Sequence, residues 1–132
     1  MQLFNIENEQ SVLGGILICN DVLIDIDLKV EDFYKTSHQI IYSAILELDK
    51  RNTPIDTITL YNHLKRSKKA EDCGDAYYIA TLASSVPTAA NVKYYADIVK
   101  KDAQRRKLDA LRGHIKNHIQ GNEPDELYPV ED

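Results

Sequence analysis

Apolar residues recur along this chain at intervals of three and four, and no segment alternates apolar with polar residues long enough to suggest a strand. A chain patterned this way buries its oily stripes helix against helix. The expected fold class is therefore all-α, and 132 residues are enough for one core without being enough for two domains.

The first helix is expected over residues 7–19, with Asn5 as N-cap and Val12, Leu13, Ile16 and Leu17 on one stripe. Gly14 and Gly15 interrupt it. Each costs about 1 kcal/mol against alanine in a helix interior, so the pair points to another backbone packed closely there. A short apolar turn spans 22–26. Phe33 and Tyr34 read as core anchors ahead of a helix over 37–50, where Thr36 and Gln39 have capping-box spacing and Ile41, Ala44, Ile45 and Leu48 form the stripe. Asn52, Thr53 and Pro54 make a loop, and Asp56 caps a helix through Leu60, Tyr61 and Leu64. RSKKAEDCGD reads as a polar loop. A helix over 76–85, with Ile79, Leu82, Ala83 and Val86 inward, stops before Pro87.

Past Thr88, a candidate cap, a long helix begins with a broad buried face of Val92, Tyr95, Ala96 and Val99. Further on, the stripe narrows to Leu108, Leu111, Ile115 and Ile119. A seam this narrow suits one partner helix better than a globular core. Gly121, Asn122 and Pro124 are expected to end the helix, and PDELYPVED to start the return arm of a hairpin.

The net charge is −5, a poor balance for a stand-alone nucleic-acid binder, which draws its affinity from neutralised phosphates. The distribution says more than the total. Residues 1–60 carry 4 basic and 10 acidic groups, 61–120 carry 12 and 6, and 121–132 carry 0 and 5. Cations concentrate in KKDAQRRK. There Lys100, Lys101, Arg105, Arg106 and Lys107 read first as a solvated helix face, and alternatively as an electrostatic patch for an acidic partner or DNA.

Catalytic chemistry finds little support. The five glycines, at 14, 15, 74, 113 and 121, do not form the G-x-x-x-x-G-K-[ST] loop that cradles nucleotide phosphates. Ser84 and Ser85 have no visible base or oxyanion loop. His114 and His118 stand four apart, the spacing of a two-histidine metal site, but no cysteine completes a set and surface histidines are the plainer reading. His38 and His63 read as hydrogen-bonded structural histidines. No catalytic, cofactor-binding or metal-binding residue is assigned. Tyr77 with Tyr78, and Tyr94 with Tyr95, point about 100° apart on a helix, so one of each pair should be buried. Tyr78 is a candidate docking residue, since tyrosine is a favoured interface anchor. Cys19 and Cys73 are expected as free thiols in a reducing compartment. No apolar run nears the roughly 18 residues of a membrane span, and MQLFNIENEQ lacks the regions of a signal peptide, so a cytoplasmic location is expected.

Four ordered strings, NIENEQSVLGGIL, EDFYKTSHQIIYSAI, PIDTITL and VPTAANVKYYADIV, resemble the N-terminal domain of DnaB-type replicative helicases, over roughly residues 5–108. The resemblance implies a compact six-helix bundle domain over 1–99, then the first arm of a helical hairpin over 100–132, cut before a C-terminal ATPase domain. It further implies hairpins that pair as dimers within a hexameric ring, docking of primase and in some systems a helicase loader, and DNA contact only through the full ring. The parent would be an ATP-dependent DNA helicase using ATP and Mg. Tyr78, Leu108, Leu111, Ile115 and Ile119 would form the oligomer or partner interface. One departure stands out: the family's usual paired glycines before its fifth helix are here Gly74 and Asp75. The polar arm before the first helix is also short.

Two other readings compete. The helicase-binding domain of a primase shares this helical design, though NIENEQSVLGGIL fits the helicase better. A helix-turn-helix over 54–64 would make the chain a DNA-binding protein, but TITLYNHLKR carries its basic residues only at the end and lacks a base-reading first turn.

Overall fold

Asn5 opens the first helix as its position predicts, its Oδ1 accepting from Asn8 N at 3.0 Å. The computed structural model describes residues 5–120, the last three by backbone alone. Five α-helices follow one another: α1 (Ile6–Ile18), α2 (Thr36–Lys50), α3 (Thr57–Arg66), α4 (Asp75–Ser84) and α5 (Val92–Gln120). Short 3-10 turns fill the gaps at Asn20–Asp25, Val30–Asp32 and Glu71–Cys73. No strand occurs among the described residues. The expected count of six treats the turn after α1 as a helix, and the chain winds it as 3-10.

α1 is the central element, lying mainly against α4 and α5. Its glycines explain how. A Cβ on Gly14 would sit 2.2 Å from the carbonyl oxygen of Leu82, and one on Gly15 would sit 2.1 Å from Val92 Cγ2. The backbone of α4 and the first turn of α5 thus occupy the space that side chains would need. Val12, Leu13 and Ile16 of α1 are fully buried with Ile41 and Ile45 of α2, Leu60 of α3, and Ile79 and Leu82 of α4. Each such side chain contributes about 1.5–3 kcal/mol by leaving water.

Caps and turns account for the helix ends. Asp56 Oδ1 accepts from Ile58 N and Thr59 N, while Thr59 Oγ1 accepts from Asp56 N, a closed capping box. α2 ends with Asn52 at φ 57° and Thr53 N donating to Leu48 O. α3 ends alike, with Lys68 at φ 62° and Lys69 N donating to Leu64 O. Gly74 and Asp75 both take left-handed φ, 83° and 64°. Aspartate is among the few residues that tolerate that region, so Asp75 holds a left-handed φ without glycine's freedom.

Four local expectations need correction. Thr36 is the first helical residue and makes no cap; Gln39 instead donates from Nε2 to Phe33 O at 2.7 Å. Phe33 is buried, but Tyr34 is 49% exposed because the chain turns outward before α2. The loop before α4 is not wholly polar, for Cys73 is fully buried in its 3-10 turn. Thr88 accepts from Ala90 N, closing a turn ahead of α5 rather than capping the helix, which starts at Val92.

Candidate protein-docking surface

Two regions gather the residues of interest, the α1–α2–α4 junction around Tyr78 and the far half of α5. At the junction, Glu9 falls on the same stripe as Val12, Leu13 and Ile16, so helical geometry drives a carboxylate into the core. It is 1% exposed. Its Oε2 accepts from Tyr34 N at 2.6 Å, and its Oε1 from Lys35 N at 3.4 Å and from His38 Nδ1 at 2.7 Å. Three donors at the entrance of α2 thus meet a buried acceptor. His38, wholly buried one turn before Tyr42 in α2, reaches with Nε2 to the hydroxyl of Tyr78 at 2.6 Å. Gln10 Nε2 donates to the same hydroxyl at 3.2 Å. The His38 and Tyr78 rings lie nearly parallel, and the Lys35 ammonium sits 4.8 Å from the Tyr78 ring centre.

Tyr78 is therefore half-buried, its hydroxyl turned inward, beside Tyr77, which is 83% exposed. Tyr95 and Tyr94 divide in the same manner. His38 is hydrogen-bonded, as the sequence suggests. The sequence reading did not recognise Glu9 or Gln10. The missed signal was a lone carboxylate at a core position of an otherwise apolar helical stripe.

His63 holds Glu47 at 2.7 Å through Nε2 and fastens α3 to α2. Tyr42, 1% exposed, gives its hydroxyl to Leu28 O at 3.0 Å, and burial pushes its pKa up to about 12. Cys19 and Cys73 are free thiols. No group of three or more His, Cys, Asp or Glu suited to a metal ion occurs among the described residues. The side chain of His118 lies outside them. Gly14 and Gly15 are filled from outside by α4 and α5 and do not fit a phosphate cradle.

α5 is about 43 Å long at 1.5 Å per residue. Val92, Ala96, Val99 and Ala103 are buried on it; then Leu108, Leu111 and Ile115 are 54%, 38% and 39% exposed. At 100° per residue these three centre about 120° round the helix from the buried line. The seam is thus no continuation of the core face. The side chain of Ile119, its fourth member, lies outside the described residues, as do 121–132 with the expected helix stop and return arm.

The basic run is split between inside and outside. Lys100 pairs with Asp27 at 2.5 Å and Lys107 with Glu31 at 3.3 Å. Arg106 donates to Asp32 O at 2.9 Å and lies over the Tyr34 ring. Lys101 and Arg105 face solvent. Three of the five cations thus hold α5 against the acidic first half of the chain. No helix among the described residues is long and apolar enough to cross a membrane.

The sequence pattern of the DnaB-like helicase N-terminal domain matches residues 1–101, three-quarters of the chain. The chain belongs to that family. A replicative DNA helicase DnaB from Mycobacterium leprae (strain TN) is 46% identical over 102 residues, covering 76% of this chain and 17% of the relative. The replicative DNA helicase DnaC of Bacillus subtilis (strain 168) is 41% identical over 111 residues, covering 79% and 23%. This DnaB-like domain thus spans less than a quarter of the length of those relatives. Its fold matches the crystal structure of the N-terminal domain of DnaB helicase from Mycobacterium tuberculosis, with a TM-score of 0.87, 38% identity, and 92% and 88% of the two chains covered. It also matches a DnaB-like replicative helicase solved with its interactions with primase, with a TM-score of 0.77, 25% identity, and 92% and 29% covered.

Proposed function

We propose that this chain is the collar domain of a replicative DNA helicase, the part through which subunits associate and primase or a helicase loader docks during DNA replication. The observation that carries the proposal is the exposed apolar seam of Leu108, Leu111 and Ile115, turned about 120° from the face that α5 buries in its own bundle. An apolar stripe on a helix leaving its domain needs a partner helix. On this reading residues 1–99 form the globular unit and 100–132 the hairpin arm. Leu108, Leu111, Ile115 and Ile119 pair with a neighbouring subunit, building dimers within a hexameric ring.

Tyr78 is the anchor for primase, a role supported by its half-exposed ring and by the structural likeness to a helicase solved with its primase interactions. Lys101 and Arg105 are the cations left outward to steer an acidic partner. The parent's motor domain would supply ATP and Mg chemistry and, through the ring, contact with DNA. Identity of 41–46% to replicative helicases favours this over a primase domain.

The test is Ile115→Asp in a chain carrying both hairpin arms. Sedimentation should show dimers or larger rings reduced towards monomer, with helicity unchanged by circular dichroism. Wild-type assembly of that variant would remove the seam assignment.

A further inference from the structure

The junction around Tyr78 supports a further step that rests on the docking reading just given. Glu9 and His38 are 1% and 0% exposed, so neither can touch a partner. Their hydrogen bonds nevertheless can run in one direction. Glu9 accepts from two backbone N–H groups and faces His38 Nδ1; in the tautomer with the ring hydrogen on Nδ1, His38 leaves a lone pair on Nε2. Tyr78 then donates its O–H to that lone pair at 2.6 Å, and its oxygen accepts from Gln10 Nε2. The chain of donors runs one way, from Gln10 through Tyr78 and His38 to Glu9.

We propose that Glu9 and His38 are positioning residues that hold the Tyr78 ring in one orientation, as a pre-set anchor for primase. The tyrosine stands on α4, His38 on α2, and Glu9 on α1, so the relay fixes the ring against the two helices beside it. Gly74 leaves room for this residue, since a Cβ there would come within 2.6 Å of Tyr78 Cβ. A ring ordered during folding loses less freedom when a partner closes on it, and the gain appears as affinity. Glu9 thereby acts on a surface it never reaches.

The affinity of the full chain for the primase of the same genome tests this, measured with Tyr78→Ala, Tyr78→Phe, Glu9→Gln and the Glu9→Gln/Tyr78→Phe double variant. Tyr78→Ala should weaken binding at least about tenfold, as expected for an anchor. Tyr78→Phe and Glu9→Gln should each weaken it about 2- to 12-fold, the range one hydrogen bond spans. The double variant should bind no worse than Tyr78→Phe alone, because Glu9 has nothing left to hold. Wild-type affinity for Tyr78→Ala would remove the docking reading and this inference with it. A loss in Tyr78→Ala beside wild-type affinity in Tyr78→Phe and Glu9→Gln would overturn the positioning role alone, as would multiplicative losses in the double variant. Should Glu9→Gln fail to fold, nitrogen NMR of His38 in the wild-type chain decides. Hydrogen on Nδ1 and none on Nε2 supports the relay, and any other protonation pattern overturns it.

Discussion

Changing Gly14 and Gly113 to alanine is one substitution in two helices, and the structure assigns the two opposite signs. In either helix alanine gains about 1 kcal/mol of propensity over glycine. At Gly113 that gain is realised, because a Cβ there meets nothing within 4 Å. At Gly14 the new carbon would lie 2.2 Å from Leu82 O and 2.7 Å from Val86 Cγ2. Relief requires α4 to retreat from α1 by roughly an ångström, and the obstructing atom is backbone, which cannot swing aside as a side chain does. Overpacking of this kind costs about 1–3 kcal/mol and occasionally more. Taking about 3 and deducting the propensity leaves a net loss near 2 kcal/mol. For a domain of this size that lowers Tm by about 8 °C. Thermal melts followed at 222 nm check both arms: Gly14→Ala should melt well below wild type, while Gly113→Ala should gain helical signal without a lower Tm. A Gly14→Ala chain melting at or above wild type would refute the argument that the glycine exists to admit α4.

Burial pushes the Cys73 thiol up to about 11, the nearby Asp72 carboxylate adding to the effect, so at pH 8 it should resist a thiol reagent in the native chain while the partly exposed Cys19 reacts; equal rates would contradict the assignment. The hydrogen bond and charge of Lys100 hold the Asp27 carboxyl below its ordinary value. The stabilising contribution of this depressed group is present above the unfolded-chain carboxylate range and disappears as pH falls through the folded value. Lys100→Met should raise the Asp27 titration midpoint in an NMR pH series, and an unmoved midpoint would show that the pair does not form in solution.

Much of the fold is legible in the sequence because it depends on local periodicity. The Val12, Leu13 and Ile16 stripe, the Asn5 and Asp56 caps and the stop before Pro87 follow from spacing and side-chain chemistry that one helix decides for itself. The close approach implied by Gly14 and Gly15 is legible too, although which atoms approach is not. Misreadings cluster where a distant segment takes over a local role. Thr36 and Gln39 have the letters of a capping box, yet the N–H groups of Tyr34 and Lys35, just ahead of α2, donate to Glu9 from another helix, and Gln39 turns back to Phe33. Tyr34 looks like a core aromatic until Arg106, 72 residues later, covers its ring outside the core. The docking candidates stand between these cases. The seam spacing can be read from the sequence, but its rotation away from the buried face depends on where the core ends.

That rotation can be traced to its cause. α5 is placed first by its apolar stripe, since burying Val92 and Val99 is worth about 1.5–3 kcal/mol each. Exposed ion pairs such as Lys100 with Asp27 and Lys107 with Glu31 contribute far less in water. The cations still have a geometric effect: at 100° per residue Arg106 lies on one side of the buried line and Lys100 and Lys107 on the other, and all three close onto the segment holding Asp27, Glu31 and Asp32. They bracket a helix whose angle the core has already set. The core sets it through Val92, which enters the space kept open by the missing side chain of Gly15. Any substitution that lifts Val92 from α1 therefore turns or displaces the whole rod, and with it the direction in which Leu108, Leu111 and Ile115 face and, on the proposed reading, would meet a partner. Hence a loss of assembly in a Gly15 variant with normal helicity would come from a seam aimed wrongly, although no seam residue had been altered.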